Sequence, residues 1–309
     1  MEIFLLVLLL FICGFILFIY SSRVLPPGSK HIINEAIAGP LPDYIEGKCS
    51  TVQSSGMTIW YQSIMPEDRP KGTIVLIMGA AGSAYLWPDS FVRLLVNRGY
   101  HVVRYDNRGL GMTDWVDNWI RRHPYSIEDL SQDVLAIMDA LNIEKAHLVG
   151  TSMGGMIAQR LAISYPERVL SIASMSSSGY FFDPTITRRL WFLITTILRL
   201  GVRYGLFNSE RSRAKLIIGF IRMIQSNHDE NVDTKVFAEQ VVYEMRNRRG
   251  FNPNALMQHG AAIKVSGSRL HELHRIEVPT LVVHGTVDPV IPSPHALKYA
   301  PLIPHAKTL

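Results

Sequence analysis

The sequence predicts an α/β chain on a mostly parallel, doubly wound sheet, interrupted by a helical insertion. Three observations carry this. From about Glu46 onward, short apolar runs alternate with helical stretches, a pattern that implies parallel strands joined by crossover helices. The run Thr73–Met78 (TIVLIM) is continuously apolar, as a strand covered on both faces must be. Residues 181–260 drop the strand rhythm and read as helix only.

The chain has 309 residues, enough for two domains or for one large domain with an insertion. Apolar residues make up 48% and charged residues 18%, against about 25% charge in ordinary soluble chains. That excludes disorder and coiled coil. Two cysteines, Cys13 and Cys49, exclude a disulfide-stapled small fold. The net charge of +5 is too weak to argue for nucleic acid. Residues 181–260 hold twelve Lys and Arg against seven Asp and Glu, so this excess alone equals that of the whole chain.

Each segment has its own reading. Residues 1–22 read as a transmembrane anchor. Ile3–Ser22 is uncharged over twenty residues, which as helix would span about 30 Å, the thickness of a bilayer core. A cleaved signal peptide would want a basic start and a small-residue cleavage site, and neither is present. Arg23 and Lys30 follow and Glu2 precedes, so a single-pass membrane protein with a cytoplasmic catalytic side is expected. Residues 23–45, rich in Pro and Gly, read as a linker. Residues 46–180 form the first part of the core. Its expected strands are 73–78, 101–105, 146–149 and 169–175, with helices over 87–98, 127–141 and 153–165. Residues 181–260 read as a helical cap, and residues 261–309, with a strand over 281–284, as the second part of the core. No internal repeat occurs.

The chemistry is concentrated in Gly150-Thr151-Ser152-Met153-Gly154, a G-x-S-x-G sequence between an apolar strand and a helix. That setting is what a nucleophile elbow requires, with the serine raised on a sharp strand-to-helix turn. The alternative is a serine that merely caps the helix. The oxyanion donors are expected at the backbone N–H of Met153 and, on the glycine loop after TIVLIM, of Ala80. The alternative there is a plain turn. It is not a phosphate loop, since no Gly-Lys-Ser/Thr follows.

Four stretches together, LIMGAAGSAYLWPDSF, HVVRYDNRGLGMTD, HLVGTSMGGMIAQRLA and VPTLVVHGTVDPVIP, resemble the α/β-hydrolase superfamily over nearly everything from about residue 46. The chain is similar there to cofactor-free methylesterases that act on anthracycline polyketides, and to related esterases. It shares with them a Met before Gly79, where most of the superfamily has His. The resemblance implies a serine ester hydrolase working through an acyl-enzyme, without metal or organic cofactor. It also implies a Ser–Asp–His triad whose acid is Asp288, within Gly285–Pro292, holding and orienting the imidazole. Asp106, in YDNRG, is implied as a structural residue bonding turn amides. A cofactor-free haloperoxidase would use the same residues. An epoxide hydrolase or dehalogenase would need Asp at position 152.

The base is the difficulty. The resemblance puts it roughly 28 residues after the acid, by analogy with the G-x-S-x-G hydrolase layout, and Leu309 lies 21 residues after Asp288. The triad histidine is therefore expected beyond the end of this chain. The last strand would be incomplete, the final helix missing and the 309 residues inactive. His305 falls in the incipient strand. His295 is expected to face outward, His284 to be a core residue, and His259 to line the pocket as a substrate contact. The sequence then reads as a fragment of a competent hydrolase, with a non-catalytic hydrolase-fold binding protein as the rival. The substrate is expected to be a small-molecule ester. A lipid-derived one would follow if a basic cap helix lay on a membrane face, rather than simply forming the cap core and pocket roof.

Overall fold

Strands buried on both faces organise the chain. The computed structural model describes residue 25 and residues 28–116, 125–205, 209–224 and 234–309. Among these, eight strands pair in one sheet: β1 (Lys48–Ser54), β2 (Met57–Ile64), β3 (Thr73–Ile77), β4 (His101–Tyr105), β5 (Ala146–Thr151), β6 (Val169–Met175), β7 (Thr280–Val283) and β8 (Lys307–Thr308). Their order is β1-β2-β4-β3-β5-β6-β7-β8. The β1–β2 hairpin and the β2–β4 pair are antiparallel, and every other pairing is parallel. The expected mostly parallel sheet is therefore present.

Side chains on successive residues of β3 serve opposite faces. Ile74 and Leu76 pack with Val92 and Val96 of helix α2 (Asp89–Asn97) and with Val102 of β4. Val75 and Ile77 join the other core cluster, with Val134 and Ile137 of α3 (Ile127–Ala140) and Ile157 and Leu161 of α4 (Met153–Ser164). Each such side chain, removed from water, contributes on the order of 2 kcal/mol. Helix α3 starts at a capping box. Ser126 Oγ accepts the Asp129 amide at 3.1 Å, and the Asp129 carboxylate accepts the Ser126 amide at 2.7 Å.

Among the described residues, the chain divides into two compact units. One comprises the residues up to Leu41 with Arg188–Val242, the other Pro42–Thr187 with Tyr243–Leu309. The smaller unit contains α1 (Ser29–Ala38) packed on α6 (Glu210–Ile224), residues 188–200 of α5 (Pro184–Leu200), and the first part of α7 (Thr234–Asn247). Within it, burial and the like charges of Lys30 and Arg211 lower the Lys215 ammonium below its usual pKa. The larger unit holds the sheet, together with α8 (Ala255–Ser266) and α9 (Pro294–Tyr299).

Three expectations change here. The membrane placement is corrected: among the described residues no helix is long and apolar enough to cross a membrane, and residues 1–22 lie outside the described residues. The segment read as a linker contains a helix, α1, bounded by Gly28 and Gly39. Residues 243–260, assigned by pattern to the insertion, belong to the sheet unit. They are tied to it by Glu244, Arg248 and His259, whose partners are Ser83, Asp106 and Ala81.

One buried ion pair fastens α3 to the loop after β4. Arg108 and Asp133 form a two-pronged pair, with both N···O distances 2.7 Å, and their side chains are 6% and 1% exposed. Removing one partner leaves an uncompensated buried charge. Asp133→Ala should cost about 3–5 kcal/mol of unfolding free energy, measured by urea titration. A loss under about 1 kcal/mol, the worth of an exposed pair, would refute that role.

Candidate active site

The turn between β5 and α4 is set by backbone crowding. A Cβ at Gly154 would stand 2.0 Å from the carbonyl oxygen of Ile77 at the end of β3, and one at Gly150 would stand 2.3 Å from the Gly154 oxygen. Only glycine at both positions lets helix and strands approach this closely. The chain turns between them at Ser152, whose φ is 52°, a left-handed value costly for a residue with a Cβ. Ser152 is held there by its amide, donated to Met175 O at 2.8 Å, and by the Ser177 hydroxyl, donated to Ser152 O at 2.7 Å. It is half-buried and heads α4, where the helix dipole favours negative charge. Met153, the expected oxyanion donor beside it, is fully buried.

The loop after β3 lies against this serine. A Cβ at Gly79 would be 3.1 Å from Ser152 Cβ and 3.7 Å from its Oγ. The structure thus places the loop that carries Ala80, the other expected donor, beside Ser152. Buried polar groups hold the loop along its length. Asn107 Nδ2 donates to Met78 O at 3.0 Å. The Ala81 amide donates to His259 Nδ1 at 3.0 Å. The Ser83 hydroxyl donates to Glu244 Oε1 at 2.6 Å. The Ala84 amide donates to Asp106 Oδ1 at 2.9 Å.

Asp106 has the structural role expected of it, and a larger one. It is fully buried, also accepts the Met112 amide at 3.0 Å, and pairs with Arg248. Arg248 in turn reaches Glu244 at 3.0 Å and lies over the Trp60 and Tyr85 rings, 4.2 and 4.5 Å from their centroids. Burial pushes Glu244 up to about 7 against the pull of Arg248. Sequence reading missed Glu244 and Arg248. Their four-residue spacing, as on one helix face, was the available signal.

Asp288 sits beyond the carboxyl end of β7. Thr151, Met175 and Val283 stand in register across β5, β6 and β7, so Ser152 and Asp288 both leave the same edge, with β6 between them. Asp288 Oδ1 accepts the amides of Val290 and Ile291 at 2.8 Å each, which fixes the carboxylate, and Oδ2 lies 3.4 Å from His284 Nε2. His284 also donates to Ile291 O at 2.7 Å. Burial disfavours its charge, but the Asp288 and Ile291 bonds outweigh that and raise its pKa.

The other histidines are placed differently from expectation. His259 is not a substrate contact. It is wholly buried, with Nδ1 on the Ala81 amide and Nε2 on Arg108 O at 2.9 Å. His295 does not face outward but is 6% exposed and lies beside Asp183. His305 precedes β8 in a turn, with φ 59°. Among the described residues, no histidine is bonded to Ser152.

A strained serine between a central parallel strand and a helix, with a glycine loop from the neighbouring strand against it, is the arrangement of the α/β-hydrolase fold. Residues 72–209 match the family described as alpha/beta hydrolase fold. Among curated proteins, the chain is similar to a rhodomycin D methylesterase of Streptomyces sp. (strain C5), 29% identical over 279 residues, with 82% of this chain and 87% of that one covered. It is 28% identical to the 3-oxoadipate enol-lactonase 1 of Acinetobacter baylyi over 253 residues, covering 79% and 78%. A hydrolase from Pseudomonas aeruginosa PA01 superposes with a TM-score of 0.65 at 24% identity, covering 86% and 90%. That last likeness bears on fold alone.

Two outcomes follow. Gly154→Ala should destabilise by on the order of 3 kcal/mol or more, while Gly260→Ala, on helix α8 with open space around the added methyl, should be neutral or stabilising by up to about 1 kcal/mol. Urea midpoints would compare them, and equal costs would refute the crowding argument. His259 adds a pH dependence. Burial pulls its pKa from 6.5 down to about 4, so the unfolded chain binds a proton that the folded chain refuses. Its contribution is complete above about pH 6.5 and is lost, by up to about 3 kcal/mol, as pH falls to about 4. Between pH 7 and 4 the wild-type urea midpoint should drop more steeply than that of His259→Asn. Parallel curves would sink this assignment.

Proposed function

We propose that the chain is a serine hydrolase of carboxylic esters. The observation that carries this is Ser152, held at φ 52° at the head of α4 with the Gly79 loop against it. In this reading Ser152 Oγ attacks the ester carbonyl as a base takes its proton. The N–H groups of Ala80 and Met153 hold the oxyanion. The proton then passes to the departing alkoxide, and water releases the acyl group from the serine. Asp288 is the acid that orients the base. The base is the component that no described residue supplies by a bond to Ser152. The names of the relatives, a methylesterase and an enol-lactonase, favour small-molecule esters, methyl esters first.

Chemical rescue tests this whether or not a base is in place. The full chain is assayed with p-nitrophenyl acetate, with and without imidazole, beside Ser152→Ala. Turnover without imidazole is expected to be low. Imidazole should raise it at least tenfold above the uncatalysed imidazole rate, and Ser152→Ala should remove that gain. A rate indifferent to Ser152 in both conditions would overturn the proposal.

A further inference from the structure

The turn beneath the expected oxyanion donor has an uncommon residue in its tightest position. The Gly82 amide donates to Gly79 O at 3.3 Å, closing a four-residue turn with Ala80 and Ala81 at its centre. Ala81 has φ 60°. A positive φ at the third residue is the mark of a type II turn, where glycine or asparagine is usual. Alanine there is strained and would relax if the central peptide flipped to the type I arrangement. Something must hold the Ala81 N–H where it is.

The holder is His259. Its two ring nitrogens have fixed roles. Arg108 O can only accept, so Nε2 carries the proton. The Ala81 amide can only donate, so Nδ1 is bare. The ring is wholly buried, with Tyr125 edge-on to it at 6.2 Å. The neutral imidazole is therefore a rigid link between the loop after β4 and the turn that lies on Ser152.

We infer that His259 is a positioning residue for catalysis: by accepting the Ala81 amide it selects the strained turn that leaves the Ala80 amide to the oxyanion. This rests on the ester hydrolase reading above. It gives His259 no contact with substrate and no proton to transfer. Its effect is on the geometry of a donor, and misplaced oxyanion donors lower turnover rather than substrate binding.

Two isosteres separate this from a merely structural histidine. The amide oxygen of Asn reaches the place of Nδ1 and can still accept from Ala81, while forgoing Arg108. The amide nitrogen of Gln reaches the place of Nε2 and can still donate to Arg108, while leaving Ala81 unheld. In the full chain, imidazole-rescued p-nitrophenyl acetate turnover and hydrogen exchange at the Ala81 amide are measured for both. His259→Gln should lose about tenfold or more in kcat with KM within about twofold, and Ala81 should exchange faster. His259→Asn should keep kcat within about threefold and keep Ala81 protected. Equal losses in the two variants, a loss confined to KM, or Ala81 exchange freed in Gln with kcat intact would overturn the inference. Absence of Ser152-dependent turnover in the wild type would instead overturn the ester hydrolase reading, while the exchange of Ala81 in the two variants would still decide what His259 holds.

Discussion

The structure depends on one close approach, that of the α4 amino terminus to the carbonyl of Ile77 at the end of β3. Because Gly154 has no Cβ, helix and strand meet at backbone distance. The chain then has no length in which to turn gently, and Ser152 takes up the strain. Position follows from this crowding. The serine can neither sink into the sheet, where Gly150 and Gly154 touch, nor drift outward, since Met175 O and Ser177 hold its main chain. A stable β-α crossing and a raised serine are two results of the same contact.

The loop beside the serine is stabilised by a different kind of force. Beyond the apolar packing of Met78, Ala84 and Tyr85, its polar groups meet buried, specific partners: the donor Asn107 and the acceptors His259, Glu244 and Asp106. Those acceptors must be in particular protonation states. His259 has to be neutral, and Asp106 has to be ionised to keep Arg248. Burial favours the first and opposes the second: it raises the Asp106 pKa, against the pull of Arg248 and two backbone amides toward the charged form. The loop is thus set by the placement of charge in the interior, where hydrogen bonds are strong and unpaired groups are costly.

How far this was legible varies with the range of the interaction. TIVLIM contains β3 because a strand covered on both faces is apolar along its length, whereas β4, HVVRY, is as buried but carries the polar His101 and Arg104. The elbow was legible because its glycines and serine are contiguous. Helix α1 was not, since the Pro and Gly residues that flank it dominate the local pattern. His295 was misjudged because α9 has six residues, too few for a periodic face to show. Glu244, Arg248 and His259 were hidden for a deeper reason. Their partners lie between 142 and 178 residues away, and a basic, apolar helix looks the same whether its charges meet solvent or a buried aspartate.

The interlocking of Ser83, Glu244, Arg248 and Asp106 has a consequence for how this part of the sequence can vary. The four form a bonded chain, Ser83 to Glu244 to Arg248 to Asp106, so effects of substitution there are not additive. Losing Arg248 alone leaves two buried carboxylates without their cation, and losing Asp106 alone leaves Arg248 with Glu244 only and strands two amides. A route to a different loop must change several positions together or pass through a poorly folded intermediate. The four residues therefore form one unit of inheritance, epistatic by construction, although they lie in two segments more than a hundred positions apart.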